Sequence, residues 1–162
     1  MYKRQTGTRH TPWLSNTEDR VWRSFLTLSR SMERAVDRQL QRDSKLSGSE
    51  YEVLVPLSES DSGELPSREL LRELGWERSR LSHMLSRMER RDMICRSPSP
   101  TDARGLVVGI TKHGREVIAR AAPAHLDMVR AAFMDRLSEE EQTALVSIAD
   151  KVLPRLRSMD LA

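Results

Sequence analysis

Seven arginines fall between Arg78 and Arg104, at positions 78, 80, 87, 90, 91, 96 and 104, against three carboxylates, Glu89, Asp92 and Asp102. That segment of 27 residues carries +4, whereas the other 135 residues carry −1. Guanidinium charge concentrated in one stretch is what binding of a phosphate backbone needs. Within it, Leu81, Leu85 and Met88 recur at helical spacing and turn one face inward. The opposite face offers Arg78, Ser79, Ser82, His83 and Ser86, flanked by Arg80 and Arg87. Small hydroxyls let a helix backbone approach the major groove, arginine can donate two hydrogen bonds to guanine, and Ser or His can reach base edges or phosphate. The plain alternative is a solvated basic helix face.

A second feature sharpens this reading. Asp102-Ala103-Arg104-Gly105 lies in a loop between two β-like segments, Met93–Ser97 and Gly105–Ile110, the latter alternating Leu106, Val108 and Ile110 with Val107 and Gly109. An arginine on so narrow a projection suits a narrow minor groove, whose negative potential is enhanced. Asp102 either orients the Arg104 guanidinium or binds the loop's own amides. Other chemistry finds no support. There is no G-x-S-x-G, H-E-x-x-H, P-loop or dinucleotide glycine pattern, and no catalytic residue is assigned. His10, His83, His113 and His125 have no short metal-ligand spacing with one another or with Cys95, so neither a metal nor a cofactor is expected. Cys95, the lone cysteine, is read as a small buried residue of the first wing strand rather than a redox switch.

These residues must be positioned by mostly helical elements. Met1-Tyr2-Lys3-Arg4-Gln5 reads as a non-native scar, and residues 1–16 as an irregular lead containing Trp13. From about residue 17 to 45, Val21, Phe25, Leu28, Met32, Ala35 and Val36 mark a helix of roughly 28 residues, about 42 Å long. A helix that long in so small a chain is a candidate dimer interface. Ser47-Gly48-Ser49-Glu50 is a capping box opening a short helix, Tyr51 to about Leu57. Ser67 should cap the next, Arg68–Leu74, ended by Gly75. A further helix runs from about Glu77 to Arg91. Two short helices joined at a glycine make a helix-turn-helix. After the hairpin, Thr111 opens a long helix kinked at Pro123, and Ser138-Glu139-Glu140-Glu141 caps a last one carrying Leu145, Ile148, Val152 and Leu156. The expected fold is mainly α with a small two-stranded β-wing. Residues 46–110 form a winged helix-turn-helix, and 17–45 with 111–158 form flanking helical dimerisation regions.

Composition narrows the class. The chain has 162 residues, 38% apolar, 4% aromatic and 31% charged, with net charge +3. That is enough for one domain with an ordinary core. One cysteine excludes an intramolecular disulfide framework. No apolar run spans a membrane and no signal peptide is evident, so a soluble cytoplasmic protein is expected.

From about residue 20 to 157 the chain resembles the MarR family of bacterial transcription regulators. The resemblance rests on Leu70–Gly75, Arg78-Ser79-Arg80-Leu81-Ser82-His83-Met84-Leu85, Glu89-Arg90-Arg91-Asp92-Met93-Ile94, Thr101-Asp102-Ala103-Arg104-Gly105 and Ile110-Thr111-Lys112-His113-Gly114. It implies a homodimer made by helices from both termini, acting as a repressor on a pseudo-palindromic double-stranded operator. It places Arg78, Ser79, Arg80, Ser82 and His83 on the recognition helix and Arg104 on the wing. Asp92 stands where glycine is common, a position where Asp also suits a left-handed cap. The resemblance further implies release by a small aromatic or lipophilic effector, for which Trp13, Trp22, Phe25 and Met32 are candidate lining residues. The plain alternative puts Trp22, Phe25 and Met32 in the core or a dimer interface. Two competing readings remain: an architectural DNA binder without sequence preference, and a helical interaction module that no longer binds DNA.

Overall fold

The computed structural model describes residues 13–100 and 105–159. The lead before residue 13, and with it His10, lies outside the described residues, as do Asp102 and Arg104 of the wing loop. The elements run α1 (Asn16–Ser44), α2 (Gly48–Glu59), β1 (Glu64–Pro66), α3 (Ser67–Leu74), α4 (Arg78–Arg90), β2 (Ile94–Pro98), β3 (Leu106–Ile110), α5 (Lys112–Ala132), a 3₁₀ turn (Met134–Arg136) and α6 (Glu139–Met159). Residues up to Ala35 form one compact unit and those from Val36 onward a second, so α1 contributes to both.

In the first unit, Glu18 and Asp19 stand at the positive end of α1, Ser15 exchanges hydrogen bonds with Glu18, and Arg23 pairs with Asp19 at 2.7 Å. Its apolar residues Val21, Trp22, Phe25 and Leu28 are exposed in the single chain.

The second unit holds the core. Leu40 and Leu46 pack with Val53, Leu54 and Leu57 of α2, Leu70 of α3, Leu81, Leu85 and Met88 of α4, Ile94, Val108 and Ile110 of the sheet, and Val117, Ile118 and Ala121 of α5. Each of the larger of these side chains stabilises the fold by about 1.5–3 kcal/mol relative to exposure. The capping box at Ser47 forms as expected: Glu50 N–H donates to Ser47 Oγ and Ser47 N–H to Glu50 Oε2. Helix α2 outlasts its expected end at Leu57, because the Ser60 N–H closes a last turn on Pro56 O. Ser138 and Glu141 make the same reciprocal pair ahead of α6. Both α5 and α6 continue through their prolines, Pro123 and Pro154.

The sheet corrects one expectation. The wing is three-stranded, not two-stranded, in the order β1-β3-β2, with both pairings antiparallel. Glu64, Leu65 and Pro66 lie opposite Gly109, Val108 and Val107, while Ile94 through Pro98 lie opposite Ile110 through Leu106. Because β1 ends at Pro66 and leads directly into α3, Pro66 occupies the cap position without a side-chain hydrogen bond, and Ser67 is the first helical residue rather than the cap. Cys95 is also corrected: Ile94 takes the inward position of β2, so Cys95, next along the strand, is exposed. One close approach depends on glycine. A Cβ on Gly114 would sit 2.1 Å from the Met93 carbonyl oxygen, so only glycine lets the first turn of α5 meet the start of the wing.

Candidate nucleic-acid interface

The candidate face is built on α4, and its orientation follows from its two ends. At the near end Gly75 adopts left-handed geometry (φ 62°, ψ 29°), and its N–H bonds the Leu71 carbonyl at 3.0 Å, stopping α3. Trp76 and Glu77 make the turn, and Arg78 begins α4. At the far end Met93 N–H bonds Met88 O and Asp92 N–H bonds Glu89 O, each at 3.0 Å, with Asp92 left-handed at φ 53°. This is a Schellman closure in which Asp does what glycine more often does.

Between these ends the two faces separate as the periodicity requires. Leu81, Leu85 and Met88 are no more than 3% exposed. Arg78, Ser79, Arg80, Ser82, His83 and Arg87 are all exposed, and Ser86 is half-buried. The structure therefore leaves exposed six of the seven α4 residues singled out from the sequence. Arg104 and Asp102 fall outside the described residues.

The arginines of this segment divide by use. Arg91 Nη1 donates to Glu50 Oε1 at 2.7 Å and its Nη2 to the Lys45 carbonyl at 2.9 Å, tying the end of α4 to the start of α2. Glu50 is 1% exposed, and its other oxygen serves the capping box. Arg96 on β2 donates through Nε to Glu89 Oε2 at 3.0 Å, fixing the wing against α4, and that hydrogen bond holds the Glu89 carboxyl below its ordinary value. Arg90 Nε bonds the Ser86 carbonyl at 3.2 Å. Much of the positive charge counted along the sequence thus builds the scaffold rather than the exposed face.

Two partners of this face carried no sequence signal. The Arg80 guanidinium carbon lies 4.0 Å from the Trp76 ring centroid, and Arg80 Nη2 donates to Ser49 Oγ at 3.3 Å. Trp76 is the fourth residue back along the chain, but Ser49 is 31 residues away. A cleft of about 300 Å³ separates α4 from the hairpin, lined by Leu71, Arg78, Leu81, Ser82, Arg96 and Leu106.

The candidate effector residues are placed differently. Trp22 and Phe25 stack with centroids 5.9 Å apart. Both stay more than half exposed, Trp13 is 77% exposed and Met32 is half-buried. Rings this exposed do not enclose a chamber within a single chain. Elsewhere, His125 lies against Tyr51 (4.5 Å between centroids), and burial pushes its pKa down. Among the described residues, no cluster of three or more His, Cys, Asp or Glu side chains is placed to hold a metal ion. Nor is any described helix long and apolar enough to cross a membrane.

Comparison with known proteins agrees with this geometry. The family model for the transcriptional regulator SarA/Rot matches residues 36–121. The structure of AbsC, a MarR family transcriptional regulator from Streptomyces coelicolor, superposes with a TM-score of 0.87 at 34% identity, covering 91% of this chain and 99% of that one. Sco3205, a MarR family transcriptional regulator from the same organism solved in complex with DNA, gives 0.85 at 40% identity, covering 88% and 89%. The transcriptional regulator HosA of Escherichia coli O111:H- is 37% identical over 73 residues, 45% of this chain; the match spans 53%, about half, of that curated relative.

Proposed function

The chain belongs to the MarR family of transcriptional regulators, and from that premise we propose that it binds double-stranded DNA sequence-specifically, as a homodimeric repressor that a small-molecule effector releases from its operator. The observation that carries this reading is the division of α4: Leu81, Leu85 and Met88 buried, with Arg78, Ser79, Arg80, Ser82, His83 and Arg87 exposed along the rest of the helix. The complex of Sco3205 with DNA supports the same use of the fold. On this reading α4 enters the major groove and Arg104, with Asp102 beside it, reaches the adjacent minor groove.

Residues 46–110 then form the DNA-binding domain, and the helices of 17–45 and 111–158 the dimerisation regions. Helix α1 exposes Val21, Trp22, Phe25 and Leu28, and α6 exposes Leu145, Ile148, Val152 and Leu156, in the single chain. Apolar faces of that kind are the mark of a covered surface, and a second copy is the partner the family supplies. Two recognition helices on a pseudo-palindrome sit about 34 Å apart. An aromatic or lipophilic effector held near Trp13, Trp22, Phe25 and Met32 would favour dimers whose helices are spaced wrongly for that operator. The protein works in the cytoplasm, where its DNA is, and acts by occupancy without turnover.

The test is titration of the purified protein against DNA from upstream of its own gene and against a scrambled duplex, over a range of salt. Preference for the upstream duplex by about 10³ or more, with a steep salt slope, is the expected result. Equal, salt-sensitive affinity for both would replace this reading with that of an architectural binder.

A further inference from the structure

Arg80 is the recognition-helix arginine that the structure already holds in place. Trp76 is half-buried and packs one side against the core. Its ring carries the Arg80 guanidinium at 4.0 Å, and Ser49 on the first turn of α2 accepts from Arg80 Nη2. Arg80 lies in the first turn of α4, and helical side chains lean toward the N-terminus, so it reaches back over the turn that carries Trp76. At about 100° per residue, Arg80 lies on the flank of α4, roughly 100° from the buried stripe of Leu81, Leu85 and Met88. Ser79 and His83 lie within about 30° of the outward pole. The guanidinium is therefore drawn sideways toward α2, away from the direction in which a base edge would be read.

From this we infer that Arg80 is a preset clamp for a DNA phosphate rather than a base reader, with Trp76 and Ser49 as its positioning residues; the inference rests on the DNA-binding reading above. Stacking occupies a face of the guanidinium and leaves N–H groups on its edge free to donate. Because the Ser49 oxygen accepts from Arg80, its own hydroxyl hydrogen can donate to the same phosphate oxygen. One arginine and one serine, on two different helices, then grip the backbone and set the register of α4, while base-edge contacts fall to the outward pole.

The experiment measures affinity for the operator duplex, for single-base variants of it and for an unrelated duplex, each over salt. Arg80→Ala is expected to weaken all of them by a similar factor, about tenfold, to lower the slope of log K against log salt by about one, and to leave their ranking unchanged. Trp76→Leu should give the same pattern at about three- to fivefold, and Trp76→Phe should restore it. In the DNA-free protein, the Arg80 side-chain proton resonances should be shifted upfield by the indole ring, an effect lost in Trp76→Leu and kept in Trp76→Phe. The clamp is overturned if Arg80→Ala relaxes preference at one base pair, if it leaves affinity unchanged, or if the upfield shift is absent. Wild-type protein that binds no duplex removes the regulator reading and the clamp with it. Wild-type binding that Arg80→Ala leaves untouched removes the clamp alone.

Discussion

The winged unit and the terminal helices use the same apolar periodicity for opposite ends. In α4, Leu81, Leu85 and Met88 disappear into a core shared with α2, α3, α5 and the sheet. In α6, Leu145, Ile148, Val152 and Leu156 follow similar spacing, yet the helix buries no residue. The first turns of α1 likewise expose Val21, Trp22, Phe25 and Leu28. A three- and four-residue repeat therefore says that a face will be covered, not by what. In the winged unit the cover comes from the same chain; for the terminal helices we look to a second copy.

The contrast can be broken most sharply where α5 meets the wing. Gly114→Ala drives a methyl group into the Met93 carbonyl and should cost about 3 kcal/mol, because backbone on both sides cannot yield. A fall in the denaturant midpoint at unchanged oligomeric state would confirm it. Val152→Glu should do the reverse: helical content and the winged unit persist while sedimentation shows dimer dissociation strengthened about 100-fold, about 2.7 kcal/mol. A dimer unaffected by that charge would show that this part of α6 is not the covered face. Next in size, Arg91→Ala leaves the Glu50 carboxylate buried with its Arg91 partner gone, which should cost about 2 kcal/mol in chemical denaturation.

The smallest effect concerns the Glu89–Arg96 tie. Its folded-state carboxyl titrates below the ordinary value, so its contribution is present above the unfolded pKa and is lost as pH falls through the folded one. The stability gap between wild type and Glu89→Gln should therefore be measurable at neutral pH and close as pH falls through and below the ordinary glutamate range. A gap that widened on acidification would mean that Arg96 does not hold this carboxylate.

What the sequence made legible is local. Both serine–glutamate capping boxes, the left-handed Asp92 and the division of α4 into inward and outward faces depend on residues within a few positions of one another. What it concealed is mostly non-local or too short for a pattern. Three residues, Glu64–Pro66, cannot show alternation, and their partner strand lies more than 40 positions on, so the third strand leaves no pattern in the sequence. Cys95 reads from the sequence as a small buried strand residue; placing Ile94 inward turns it out. Ser49 and Glu50 meet Arg80 and Arg91 across 31 and 41 residues, and nothing in either neighbourhood announces the partner. Counting arginines located the basic segment, but could not tell those that bear on the surface from those that brace the scaffold.

The Glu50–Arg91 contact has a consequence for how such a protein changes over generations. A lineage that loses Arg91 first must pass through a chain carrying an uncompensated Glu50 carboxylate in the interior, whereas one that loses Glu50 first leaves Arg91, 43% exposed, to meet solvent, so the two positions should be exchanged with Glu50 first. Ser79, Ser82 and His83 are exposed on the same helix that Arg91 terminates and can each be replaced singly at little structural cost. On the DNA-binding reading proposed above, operator preference is thus free to drift by single steps, while the brace beneath it is constrained in the order of its changes.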